Sequence, residues 1–307
     1  MDDLTRKTHE VIDEIRLDRT SGATTLTIRG AQLLQKWVDG NSTAPLQDFR
    51  IQLAHLCRAL VHAQPSMAPI LNLANCLLIG LDRVAQDQVP QHEVARNLTE
   101  QIQDIRNADS EISQQALAVF HRKSTVMTHS KSSTVLSVIR AAARAGICRK
   151  VVCTESRPHL EGIALAEDLS RDGIAVDLIG DAAAPCFAGR ADLILVGADG
   201  IHRQGLINKL GTYGLGLAAH AADRPFYVLC GLHKFWPDSC GPAPVIEEKD
   251  PAEIWSGPED IRPLNLYFDV TPLRYLTATI TEKGLMSEPQ VVQKMCRMPL
   301  HPSLLET

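Results

Sequence analysis

The stretch MTHSKSSTVLSVI, Met127–Ile139, joins two different periodicities. Its first residues close a β-branched run, Ser124–Thr128, and its last open an apolar helical face. Thr128, His129, Ser130, Lys131, Ser132 and Ser133 form the joint. Ser132 or Ser133 is placed to cap the helix, whose free N–H groups and positive dipole end favour an anion. A serine pair that does no more than cap gives the same pattern.

Outward from this joint the pattern repeats. The runs STVMT, KVVCT, AVDLIG, ADLILVG and PFYVLC alternate with SSTVLSVIRAAARAG, LEGIALAEDLSRDG and GTYGLGLAAHAADR. Such alternation predicts right-handed βαβ crossovers and an α/β fold with a mostly parallel, doubly wound sheet. Gly146, Gly173 and Gly231 are expected helix C-caps. Upstream the period is helical throughout. Phe49, Leu53, Leu56, Leu60 and Val61 build one apolar face, and ILNLANCLLIGL continues it after Pro65 and Pro69. Val94, Leu98, Ile102 and Ile105 stripe a long, otherwise polar helix expected to lie across a domain surface. The expected division is a helical domain over 1–120 and a Rossmann-like domain over 121–307.

The composition sets bounds. The 307 residues are 45% hydrophobic and 22% charged, with a net charge of −5, so no basic stripe invites nucleic acid. The opening MDDLTRKTHEVIDEI is charged and amphipathic, unlike a signal peptide, and no apolar run reaches membrane-spanning length. The eight cysteines are irregularly spaced and form no CxxC, which predicts reduced thiols in a cytoplasm and no metal site.

Parallel sheets bind ligands outside the carboxyl ends of their strands. At the first end lies the Ser130 joint with Lys131. At the second, in TESRPHLEG, Arg157 is a candidate phosphate clamp or a partner for Glu155. At the end of ADLILVG, Asp199 is a carboxylate whose burial would raise its pKa toward acid/base use; the alternative is a turn aspartate before Gly200. Asn208 and Lys209 precede the next helix, where Lys209 is a candidate phosphate ligand. Of the scattered histidines, only His129 falls by position in this crevice. The residues predict a cationic crevice for a phosphorylated small molecule. Neither a Walker loop nor a GxGxxG supports a nucleotide cofactor.

The segments THSKSSTVL, TESRPHLEG, VGADGIHRQGLINKLGTYGLGLAAH, PFYVL with KF after it, and FDVTPLRYLTATITEKG resemble one family. It holds the α, β and δ subunits of translation initiation factor 2B, ribose-1,5-bisphosphate isomerase and methylthioribose-1-phosphate isomerase. The resemblance implies an N-terminal helical domain, a Rossmann-like domain and a homo-oligomer, commonly a dimer. It also implies aldose–ketose isomerisation of a C1-phosphorylated pentose without metal or cofactor, carried by an aspartate and a cysteine. The aspartate corresponds to Asp199, and the cysteine's place is taken by Ser130. Arg29, Gly30 and Ala31 match the isomerases' RGA at the phosphate site; Arg157, Asn208 and Lys209 match further substrate ligands. A serine is a far weaker acid than a thiol of pKa about 8.5. Cys153, at the end of the second strand run, is a candidate substitute thiol, with a core cysteine as the alternative. The resemblance thus leaves two readings, an isomerase with an altered proton carrier and a non-catalytic regulatory subunit that binds a sugar phosphate or nucleotide.

Overall fold

The computed structural model describes residues 3–18, 21–84, 89–121, 123–241, 246–258 and 260–305. Five helices come first: α1 (Asp3–Leu17), α2 (Ala23–Gly40), α3 (Leu46–Ala63), α4 (Ala68–Asp82) and α5 (Pro90–Ala116). Their apolar faces share one core, in which Trp37 stacks on Phe49 at 5.3 Å between ring centroids. The helix α4 is apolar almost all round because it packs against α2, α3 and α5 together. The helix α5 does more than cover a surface. Its Val94 and Leu98 belong to the helical core, while its Ala108, Ile112 and Ala116 lie in the core of the sheet domain, so one rigid rod ties the two cores.

The sheet domain follows with β1 (Ser124–Thr128), α6 (Ser133–Arg144), β2 (Cys148–Thr154), α7 (Glu161–Arg171), β3 (Val176–Ile179), α8 (Ala184–Ala188) and β4 (Leu193–Val196). Then come β5 (Gly200–His202), β6 (Gly205–Lys209), α9 (Thr212–Ala221), β7 (Phe226–Leu229), β8 (Phe268–Thr271), β9 (Ala278–Thr281), β10 (Gly284–Met286) and α10 (Glu288–Arg297). Seven strands form the main sheet in the order β10-β9-β7-β4-β1-β2-β3, parallel except at β10. The helices α5, α6 and α7 cover one face, and α8, α9 and α10 the other. Successive strands run outward in opposite directions from the β1–β4 pair, which is therefore the topological switch point where such sheets bind ligands.

Two expectations are corrected here. Gly146 (φ 70°) and Gly173 (φ 77°) do take the left-handed conformation after α6 and α7. Gly231 does not: it is extended (φ −69°) and follows β7, and α9 instead ends on Asp223 at φ 52°. A second, three-stranded antiparallel sheet, β5-β6-β8, has no counterpart in the sequence reading. It puts Asn208 and Lys209 on a strand, paired with Asp269 and Phe268 of β8. Asparagines of α4 dock the chain's two halves. The Asn72 side-chain amide donates to the carbonyls of His233 (2.7 Å) and Phe235 (2.6 Å), and that of Asn75 donates to the Pro299 carbonyl (2.8 Å).

Candidate functional site

A cavity of about 1100 Å³ opens where β1 and β4 end, walled by the start of α6, the start of α7, the β6 and β8 strands and the segment before α2. Asp199, Ser130, Asn208 and Lys209 all line it. Arg29, Gly30, Ala31 and Arg157 do not. Arg29 pairs with Glu14 (2.5 Å) and Asp18 (3.5 Å), and reaches the cavity rim only through Asp18. Gly30 serves helix packing, since a Cβ there would lie 2.9 Å from the Leu60 side chain of α3. Ala31 is in the helical core. Arg157 is exposed, and its backbone N–H donates to Asp181 (2.7 Å).

The sequence predicts a cationic crevice, but the lining is charge-balanced. Arg16, Lys131, Lys209, Lys234 and Lys249 are matched by Asp18, Glu161, Asp199, Glu247, Glu248 and Asp250. Each of the four lysines has a partner. Lys131 pairs with Asp168 (2.8 Å), Lys209 with Glu161 (2.5 Å) and Lys249 with Glu247 (2.8 Å), while the Lys234 ammonium donates to the Ala198 carbonyl (2.7 Å). The carboxylate of Asp269 accepts from the N–H groups of Gly211 (2.8 Å) and Tyr213 (3.1 Å), so the start of α9 is already filled by an anion. The start of α6 is capped by Ser132, whose Oγ accepts from Val135 N–H (3.4 Å) and occupies only one of the first-turn donors.

Asp199 sits just past β4, where its N–H donates to the Ile207 carbonyl (2.9 Å). Burial pushes its carboxyl above the ordinary carboxylate range, against the pull of the nearby Lys234 and Lys209 ammonium groups, and Glu161 pushes it further up. Such an environment favours the protonated carboxyl more than an exposed turn aspartate would experience.

Ser130 takes a left-handed conformation (φ 66°), as does Ser156 (φ 64°). The Ser130 N–H donates to Ser156 Oγ (2.8 Å). Behind them lies His129, buried at the end of β1. Its Nε2 faces the Leu210 carbonyl (2.9 Å) and so carries the proton; its Nδ1 accepts from Thr154 Oγ1 (2.6 Å), which in turn accepts from Ser156 Oγ (3.0 Å). The chain of bonds fixes Ser130 from beneath. Burial holds the His129 pKa below its ordinary value, with the Leu210 carbonyl opposing. The unfolded chain takes a proton near pH 6.5 and the folded one resists it, so His129 makes stability fall as pH drops below about 6.5 until the folded pKa is passed. Urea melts from pH 7.5 downward should show that decline shallower in His129→Gln than in the wild type.

Ser130 Oγ donates to Glu161 Oε1 (3.4 Å), which also takes the Lys209 salt bridge; Glu161 Oε2 is buried with no hydrogen-bond partner. Sequence reading passed over Glu161, and also His159, which joins the lining edge-on to Tyr267. Their only signal was membership of TESRPHLEG. Cys153 is 1% exposed in the core, where burial pushes its thiol up to about 12. It does not line the cavity.

The model for the Initiation factor 2 subunit family matches residues 19–288. The chain belongs to that family. A ribose 1,5-bisphosphate isomerase of Archaeoglobus fulgidus is 34% identical, covering 90% of this chain and 88% of its own. A Pyrococcus abyssi protein named as translation initiation factor eIF-2B subunit 2-like is 32% identical over 92% and 98%. The crystal structure of the Pyrococcus horikoshii OT3 translation initiation factor eIF-2B superposes with a TM-score of 0.79 at 31% identity, over 92% of this chain and 98% of that one. Family members thus include both sugar-phosphate isomerases and initiation-factor-like proteins. No helix of the described residues is long and apolar enough to cross a membrane, and among them no three His, Cys, Asp or Glu are grouped to hold a metal.

The family model covers the cavity lining apart from Arg16, Leu17 and Asp18, and it includes Lys209. If Lys209 holds a ligand oxygen, Lys209→Ala weakens sugar-phosphate binding by about 1.5–3 kcal/mol, the worth of a charged hydrogen bond. Titration calorimetry reads that loss, and an unchanged affinity removes Lys209 from the binding set.

Proposed function

We propose that this chain binds a C1-phosphorylated pentose in the cavity and acts on it as an aldose–ketose isomerase, with Asp199 as proton carrier. The observation that carries this reading is the half-buried Asp199 carboxyl, which lines the cavity at the switch point of the sheet, near Lys209 and Lys234, with its pKa raised by desolvation. The phosphate takes the first turn of α6, and Asn208 and Lys209 hold sugar oxygens. Protonated Asp199 delivers its proton to the ring oxygen as the C1–O ring bond breaks. Hydrogen then moves from C2 to C1 with its electron pair. The C2 hydroxyl gives up its proton as the ketone forms, which restores the acid and balances the step.

A second reading is favoured by one observation: no cysteine lines the cavity, and Ser130 stands where the resemblance places one. On that reading the protein binds the sugar phosphate, or a nucleotide, and signals through a partner without turnover. Phosphorus and proton NMR of the purified protein with ribose 1-phosphate, 5-methylthioribose 1-phosphate and ribose 1,5-bisphosphate separates the two. New ketose resonances establish the isomerase; ligand broadening without product establishes the sensor. In the same assay Ser130→Cys should raise turnover about tenfold or more, the scale of a positioned proton donor.

A further inference from the structure

The cavity's charges are arranged to admit one phosphate and turn away a second. Lys209 is the most deeply buried ammonium on the wall, 3% exposed, and a free ammonium there would draw any dianion. It is not free. Glu161 Oε1 lies 2.5 Å from it, backed by Ser130 Oγ at 3.4 Å. Asp168 and Glu247 neutralise Lys131 and Lys249 in the same way, and Asp269 fills the start of α9. The start of α6 remains as the place for an anion.

Glu161 does more than cancel a charge. Its Oε2 is buried with no partner, and a carboxylate oxygen only accepts. An orphan acceptor costs free energy until a donor reaches it. A sugar hydroxyl supplies that donor; a phosphate dianion brings further acceptors and a like charge. We infer that Glu161 is a specificity-determining residue, selecting a pentose that carries one phosphate and presents a hydroxyl toward Lys209, and excluding a second phosphate there. The inference rests on the sugar-phosphate reading given above and narrows its substrate class to monophosphates.

The test is calorimetric titration of the whole chain with ribose 1-phosphate and, separately, ribose 1,5-bisphosphate. The wild type should prefer the monophosphate by about tenfold or more, the effect of one unscreened like charge in a partly buried site. Glu161→Gln removes the charge but keeps the shape, and should erase or reverse that preference by strengthening the bisphosphate about tenfold. Glu161→Ala serves if the glutamine variant fails to fold, and the wild-type ratio requires neither. A wild type that takes the bisphosphate as tightly as the monophosphate overturns the inference and leaves the sugar-phosphate reading standing. So does a ratio that the substitutions leave unmoved. If neither compound binds the wild type or the variants, the sugar-phosphate reading fails and the inference falls with it.

Discussion

Asp199→Asn should abolish the proposed isomerase turnover while the affinity for a sugar phosphate stays within about tenfold of the wild type, because the amide keeps the shape and loses the transferable proton. The expectation follows from the environment of the group. The carboxyl lies beyond the end of β4, its backbone is pinned to Ile207, and burial raises its pKa despite two lysines nearby. An amide there cannot deliver a proton to a ring oxygen at any pH. Retained turnover would place the proton on another group, for which Glu161, the other carboxyl that acts on Asp199, is the candidate. Joint loss of binding and cooperative unfolding would instead make Asp199 a structural counter-ion for Lys209 and Lys234. A single denaturation curve run beside the kinetic assay tells these outcomes apart.

Gly162→Ala has the largest expected effect on the fold. A Cβ at Gly162 would stand 1.9 Å from the Thr154 carbonyl oxygen and 2.7 Å from Ser156 Oγ. The first of these is backbone at the end of a buried parallel strand and cannot rotate away. The start of α7 must lift off β2, at a cost of about 3 kcal/mol or more for overpacking. Ser156 holds the Ser130 N–H, so the same shift disturbs the cavity floor. Gly214→Ala is the matching control. It lies in α9, with nothing within 4 Å of the added Cβ, and alanine there stabilises by about 0.4–1 kcal/mol by restricting the unfolded chain. Thermal melts of the two variants should move in opposite directions. A Gly162→Ala protein as stable as the wild type would mean that α7 is free to slide on β2.

Local periodicity placed five of the seven strands of the main sheet, and β9 and β10 lay outside the runs it marked. The runs at 124–128, 150–154 and 225–230 coincide with β1, β2 and β7, because a strand buried on both faces needs an unbroken apolar or β-branched run. The helices α6 and α7 announce themselves by an apolar stripe and a glycine after the last turn, whereas α9 ends without one. The small β5-β6-β8 sheet escaped because β5 has three residues and its pairing joins segments some sixty positions apart. The position of Asp199 and Ser130 on the cavity wall was legible because strand ends in a parallel sheet converge at one edge, a rule that operates on sequence order alone.

The rest was decided by charge neutralisation, which no sequence distance encodes. Lys209 and Glu161 are 48 positions apart by numbering, yet their salt bridge turns an expected phosphate ligand into half of a neutral pair. Asp269 fills a helix start that the sequence left open, and Arg29 is drawn to Glu14 and Asp18 rather than to the cavity. The sequence by itself determined the doubly wound sheet, the helical N-terminal half and the family, since those follow from hydrophobic period and ordered motifs. Only the tertiary structure decided which charges in the cavity remain available to a ligand. That depends on which side chains from separate segments meet within a few ångströms, where Coulomb attraction is strong.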